Sequence, residues 1–413
     1  MRMVLTTWGS RGDVEPVAGL AVRLRELGVE VRVCAPPDEE FAALLGGVGV
    51  PLVPLGPTVQ SVVTGARPPS AADAFRLAPQ LVAARFDTLM TAAEGCDALL
   101  ATGLMPAGAR SVAEKLGIPY VFACFHPFGL PSRHLPPMQR PGKPSPEGEK
   151  DIKALWAQDA ERVNGLYGEA LNSHRAAIGL PPVDNVRDYV LTDRPWLAAE
   201  PVLGPWQEMT DLDLVPTGAW VLPDERPLPD GLEAFLEAGE PPVYVGFGSM
   251  ALHTARDMAR VAIEAVRAHG RRVLLARGWA DLALIDDRDD CFVVGEVNHQ
   301  SLFGRVAAVV HHGGAGTTTT AVRAGVPQVA VPQIADQPHW AARIAELGIG
   351  SAHDGPTPTF ESLSAALTTA LSPGTRARAR AVAGEIRTDG TTVAAEMLLD
   401  AVSRDRSSAS ASA

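Results

Sequence analysis

A chain of 413 residues exceeds what one hydrophobic core usually supports, so two domains are expected. Its 46% hydrophobic and 20% charged residues are ordinary for a globular protein, while a formal charge of −12 argues against a nucleic-acid partner, which needs clustered Lys and Arg. Cys34, Cys96, Cys124 and Cys291 form no CxxC pair, the N-terminus turns polar too early for a signal peptide, and no apolar run reaches about 18 residues; a reduced, cytoplasmic protein with no membrane partner is expected.

Met3 to Thr7 reads as a buried strand, Gly9 to Asp13 as a turn, and Val17, Leu20, Ala21, Leu24 and Leu27 share one helical face. Strands follow at 29–35, 50–55, 98–102 and 120–124, with a helix over 107–116 before the last. This alternation predicts parallel βαβ units. Seven prolines between Phe125 and Lys150 then exclude a helix or central strand. A loop of that length is more often a binding loop than a plain connection. Its apolar residues, among them Phe125, Phe128, Leu130, Leu135 and Met138, together with Trp8, suit a large aromatic ligand; the alternative is that they anchor the loop to its own domain.

A helix is expected over 152–178 and a proline-rich linker around Pro223 to Pro229. A second set of strands is predicted at 243–246, 272–275, 291–294, 307–311 and 328–331, then helices over 360–371 and 391–403. The expected organisation is an N-terminal domain 1–220, a linker 221–240, a C-terminal domain 241–390, a helix 391–405 and a disordered tail 406–413. The fold class is α/β: two Rossmann-like, doubly wound parallel-sheet domains facing each other across a cleft, with ligands at the C-terminal ends of the strands.

His311-His312-Gly313-Gly314-Ala315-Gly316-Thr317 joins a strand to a helix. Glycines there admit close approach of a ligand, and a helix start offers unpaired N–H groups to a pyrophosphate. The two histidines add donors that can become cationic; strand alternation lets only one face the phosphates, His312 by preference, with His311 left for packing. Asp13, beside Ser10, Arg11 and Gly12, is either a helix cap or a carboxylate poised near a phosphate. Gly246-Phe247-Gly248-Ser249 offers further phosphate donors, and Trp279 in Arg277-Gly278-Trp279 either stacks on a nucleobase or simply packs. Asp336-Gln337 suits the vicinal hydroxyls of a sugar. The acidic run 286–290 reads as a solvated turn rather than a metal site.

In this order these segments, with Gly295-Glu296-Val297-Asn298, resemble glycosyltransferases of the two-Rossmann-domain (GT-B) architecture. Gly9 to Asp13, Arg110 to Pro119, Thr217 to Trp220 and Phe303 to Ala308 resemble the subgroup that glycosylates vancomycin- and teicoplanin-type aglycones. The resemblance implies that Asp13 is the general base, where many plant and macrolide relatives carry a histidine. It also implies that Ser10, Ser249, His312 and residues 313–317 hold the diphosphate, that Trp279 and the backbone of Val297 hold the base, and that Asp336 and Gln337 read the donor sugar. An inverting transfer from a UDP- or TDP-sugar to a phenolic hydroxyl of a peptide aglycone, with no metal or other cofactor and by a monomer, is the expectation. Another natural-product acceptor and a nucleotide-sugar 2-epimerase are the alternatives. A dehydrogenase is disfavoured because Thr319 replaces the third glycine of GxGxxG.

Overall fold

The computed structural model describes residues 1–63, 71–138, 151–206, 212–247, 255–278, 282–284, 286 and 288–411, with the side chains of 71, 72, 255, 256 and 405–411 excepted. It forms two compact units, Met1–Leu222 with Arg387–Ala413, and Pro223–Ile386. Among the described residues no helix is long and apolar enough to cross a membrane.

The first unit is built on β1 (Arg2–Thr6), β2 (Glu30–Ala35), β3 (Leu52–Pro54), β4 (Ala98–Ala101), β5 (Tyr120–Cys124), β6 (Trp196–Leu197) and β7 (Val215–Pro216), in the order β3-β2-β1-β4-β5-β6-β7. All pairs are parallel, with Met3 facing Val31 on one side and Ala98 on the other. Helices cover such a sheet on both faces, so its central strands are apolar at successive positions; Met3, Val4 and Leu5 are fully buried. Helix Arg11–Glu26 buries Val14, Val17, Leu20, Ala21 and Leu24. The two-residue strands β6 and β7 carry no readable period and were not expected from the sequence.

The second unit repeats the plan with β8 (Val243–Gly246), β9 (Val273–Ala276), β10 (Cys291–Val294), β11 (Ala308–His311), β12 (Gln328–Ala330) and β13 (Gly350–Ala352), ordered β10-β9-β8-β11-β12-β13. β13, Gly-Ser-Ala, has no β-forming residue; it pairs because a Cβ on Gly350 would stand only 2.0 Å from the Gln328 carbonyl oxygen, an approach open to glycine alone. In both sheets the winding direction reverses between the two middle strands, β1 and β4 in one and β8 and β11 in the other. Loops leaving the C-terminal ends of such a pair diverge and leave a crevice, where doubly wound folds bind ligands.

Three expectations are corrected. Residues 223–240 do not stand apart as a linker: they belong to the second unit and include helix Asp230–Glu237. The C-terminal helix belongs to the first unit, where Ala394, Ala395, Leu398 and Val402 are buried in its core. That helix, Gly390–Ala411, also runs through the segment expected to be disordered. Extending an established helix by a Ser-Ala sequence costs less than starting one.

Candidate functional site

In the first unit the chain leaves β1 through Thr7-Trp8-Gly9 and starts a helix at Ser10, whose Oγ accepts from Gly12 N at 3.3 Å. Asp13 is the third helical residue, with Oδ2 3.5 Å from Ser10 Oγ. Its carboxylate folds back over the glycine: a Cβ on Gly9 would stand 2.0 Å from Oδ2 and 2.4 Å from Cγ. The chain therefore has no side chain where the carboxylate lies. Arg11 Nε donates to Glu15 Oε2 at 2.7 Å, along the helix, and Gly12 is exposed.

Two residues expected to contact a large aromatic ligand, the aglycone on the family resemblance, are core residues instead. Trp8 is 4% exposed and its indole N–H donates to Pro57 O at 3.0 Å, tying the loop after β3 to the end of β1. Phe128, also 4% exposed, stacks on His126 with ring centroids 4.3 Å apart. Leu130 is fully buried, and the Leu135 carbonyl accepts from Trp156 Nε1, so the described part of the proline-rich loop is anchored to its own unit. Phe125 is half-buried and meets Trp220 edge-on at 5.6 Å; Met138 is half-buried. Residues 139–150 lie outside the described residues.

In the second unit, β11 ends at His311, which is fully buried. Gly313 N donates to its Nδ1 at 3.1 Å, which leaves the proton on Nε2, 2.9 Å from Gln328 Oε1. Burial pushes its pKa down to about 3, with a smaller contribution from His312. His312 takes the other side of the strand and folds over the next turn: a Cβ on Gly314 would stand 2.4 Å from its Nε2. Burial lowers its pKa to about 4, against an opposing pull from Asp336. Both imidazoles are thus neutral at pH 7, contrary to the expectation of ready cations. His312 Nδ1 is buried with no hydrogen-bond partner among the described residues, as a group awaiting a partner would be.

Gly313 adopts a φ of +85°, and a Cβ on it would stand 3.1 Å from Gln337 O, so the turn requires glycine on both counts. Gly314 then opens helix Ala315–Arg323 with no side-chain cap. The first N–H groups of that helix, at Ala315, Gly316 and Thr317, have no intrahelical acceptors, and the helix dipole is positive there. Asp336 precedes helix Gln337–Glu346 without capping it; its Oδ2 accepts from Trp340 Nε1 at 2.7 Å. Gln337 is buried, and its Oε1 accepts from the backbone N–H of Gln333 (2.8 Å) and Ile334 (3.0 Å). Its carbonyl is therefore committed to fixing the loop beside Asp336.

Arg277 directly follows β9 and has an exposed side chain. Val297 is buried in a turn fixed by Asn298, whose Nδ2 donates to the Asp224 and Arg226 carbonyls at 2.8 Å each. Ser249 and Trp279 lie outside the described residues. Asp286 and Asp290 are both paired with Arg267, at 2.7 Å and 2.6 Å. The guanidinium holds Asp286 down to about 2, and the two ends of this acidic run are ion-paired. Among the described residues no three His, Cys, Asp or Glu side chains converge to hold a metal ion.

The segment after β4, which faces β1 across the reversal point, drew no attention from its sequence. Its signal lay elsewhere: Arg85 falls on the apolar stripe of helix Ala71–Ala92, among Leu81, Val82, Phe86 and Leu89.

Residues 3–130 match the glycosyltransferase family 28 N-terminal domain, and residues 280–397 match the erythromycin biosynthesis protein CIII-like C-terminal domain. The chain is 59% identical over 413 residues to a vancomycin aglycone glucosyltransferase of Amycolatopsis orientalis, covering 100% of both. It is 54% identical to a dTDP-epi-vancosaminyltransferase of the same organism, over 98% of this chain and 99% of that one. Among solved structures, the glycotransferase of kitacinnamycin superposes with a TM-score of 0.74 at 21% identity, covering 97% of this chain and 98% of that one, a likeness of fold. With two parallel-sheet domains and full-length identity of this order, the chain belongs to the GT-B glycosyltransferases of the glycopeptide-antibiotic family.

Proposed function

We propose that this enzyme transfers a sugar, glucose being the first to test, from a nucleoside diphosphate to a phenolic hydroxyl of a vancomycin-type aglycone, with inversion and without a metal. The full-length 59% identity to an aglycone glucosyltransferase carries the acceptor class. The mechanism rests on the chain's own residues. Asp13, at the reversal point of the first sheet, takes the phenolic proton as the oxygen attacks the anomeric carbon. Aspartate and phenol have ordinary pKa values of about 3.9 and about 10, so full deprotonation beforehand costs about 8 kcal/mol. The proton therefore moves as the C–O bond forms.

The departing diphosphate gains charge as the glycosidic C–O bond to it breaks. The unpaired N–H groups at 315–317 and the neutral His312 stabilise that charge, a preorganised set of donors that acts without a cation. Asp336 holds donor-sugar hydroxyls, and Gln337 supports it by fixing residues 333 and 334.

A panel of UDP- and TDP-sugars against glycopeptide aglycones, read by mass spectrometry and by NMR of the product's anomeric centre, tests the proposal. Transfer to a phenolic oxygen with inverted configuration is expected. Conversion of a nucleotide sugar with no aglycone present supports an epimerase instead, and retained configuration overturns the single displacement.

A further inference from the structure

The segment after β4 is held against the end of β1 from two sides. Thr102 N donates to Thr6 O and Leu104 N to Trp8 O, both at 2.9 Å. Gly103 adopts a φ of +80°, and a Cβ on it would stand 2.6 Å from Thr7 Oγ1 and 2.8 Å from Trp8 O. From the other side comes Arg85, 1% exposed, whose guanidinium donates to the Leu104 carbonyl at 2.7 Å and the Ala107 carbonyl at 3.4 Å. Among the described residues no carboxylate pairs with it. Burial lowers its pKa to about 10, with the Tyr167 and Tyr120 phenols pulling the other way.

A buried cation with no counter-charge is costly, and an apolar residue of similar volume usually serves a core better. Here the cost is offset by two carbonyls of a single loop, reached by a planar fork that lysine cannot reproduce. The loop thus fixed presents Leu104, 37% exposed although apolar. It stands at the reversal point of the sheet, beside the strand end that leads to Gly9 and Asp13. With Trp8 and Phe128 in the core, Leu104 is an exposed apolar side chain that this edge offers to a ligand.

We propose that Leu104 contacts the acceptor and favours an apolar, aromatic aglycone face, and that Arg85 is the positioning residue that holds it there. This rests on the acceptor class proposed above. With vancomycin aglycone and the donor that supports transfer, Leu104→Ser should raise the aglycone KM about tenfold, the scale of one lost leucine contact, with the donor KM unchanged. Arg85→Met should raise the aglycone KM similarly, and Leu104→Ser should add nothing further in that background. A merely structural Arg85 lowers stability and active fraction while leaving both KM values alone, and the two effects then multiply. Should Arg85→Met fail to fold, Arg85→Lys, which keeps the charge and loses the fork, gives the same comparison. An unchanged aglycone KM in Leu104→Ser overturns the proposal while transfer itself survives. Absence of transfer to any glycopeptide aglycone by the unmodified enzyme overturns the acceptor class and this proposal with it.

Discussion

Gly9→Ala probes the carboxylate of Asp13 without replacing it. Gly9 lies outside the left-handed region, so alanine fits its backbone. The new Cβ would stand 2.0 Å from Asp13 Oδ2 and 3.0 Å from Asp13 Cβ. A carbon–oxygen contact needs about 3.3 Å, so the oxygen must retreat by about 1.3 Å. The carboxyl group, Cγ included, can turn away about the Cα–Cβ bond for about 1 kcal/mol. The 3.0 Å contact at Asp13 Cβ needs a backbone shift of a few tenths of an ångström, and the fold should survive. A misplacement of about 1 Å in a reacting group costs about 100-fold, or about 2.7 kcal/mol of barrier. Steady-state kinetics should therefore show kcat down about 100-fold with the donor KM and melting temperature close to wild type. Asp13→Asn should fall at least as far, about 100-fold or more, the scale of a lost general base. The double variant should be no slower than Asp13→Asn, because both changes act through one group. Near-normal turnover in folded Gly9→Ala would refute the reasoning, since the carboxylate could then work from elsewhere.

The histidine pair should separate in calorimetry and melting: His312→Ala weakens binding of free nucleoside diphosphate about tenfold, whereas His311→Ala costs about 2–4 kcal/mol of stability by stranding Gln328 and Gly313 N. A reversed pattern would mean that the two side chains serve each other's roles. Because burial holds both imidazoles neutral in the fold, at about 3 and about 4, their contribution to stability is complete above the unfolded value of about 6.5 and drains as pH falls from there towards 4 and 3. Melting temperature against pH should show this slope, flattened in His311→Gln; an identical slope in that variant would assign the acid sensitivity to carboxylates. Activity should persist in excess EDTA, and a loss restored by Mg²⁺ or Mn²⁺ would mean that the leaving diphosphate needs a cation.

The middle strands of both sheets were legible because burial on two faces forces unbroken apolar runs such as Val309-Val310, and a glycine-rich exit marked where β11 ends. Short edge strands were not. Gly350-Ser351-Ala352 pairs through backbone proximity that composition does not express, and β6 and β7 have two residues each. Exposure at strand ends was equally hidden: Trp8 and Phe128 read as ligand contacts because aromatic residues near a loop serve either purpose, and only packing decides. Gln337 looked like a sugar reader, yet a side-chain amide is equally suited to holding backbone, and its neighbours at 333 and 334 use it so. Gly9 read as one more turn residue, since nothing in a linear sequence tells which glycine leaves room for a carboxylate four positions on. Arg85 did carry a signal, a charge on an apolar stripe, whose partners were carbonyls and therefore invisible to a search for acidic residues.

The helix Gly390–Ala411 gives the first unit a peculiar biography. Its start is stitched to the chain near residues 200 and 221, through Arg387 N to Glu200 Oε1 and through Thr391 to Val221, and Gly390 sits where a Cβ would stand 2.4 Å from Ala219 O. The ribosome makes this helix only after the second unit. The N-terminal unit, although nearly all of it emerges first, therefore waits with the surface facing Ala394, Ala395, Leu398 and Val402 uncovered until the whole second unit has been synthesised. Recombination between relatives meets the same constraint. A chimera joined once near residue 222 pairs one parent's N-terminal unit with the other parent's closing helix, whereas a second junction near residue 387 lets the exchanged segment coincide with a complete unit.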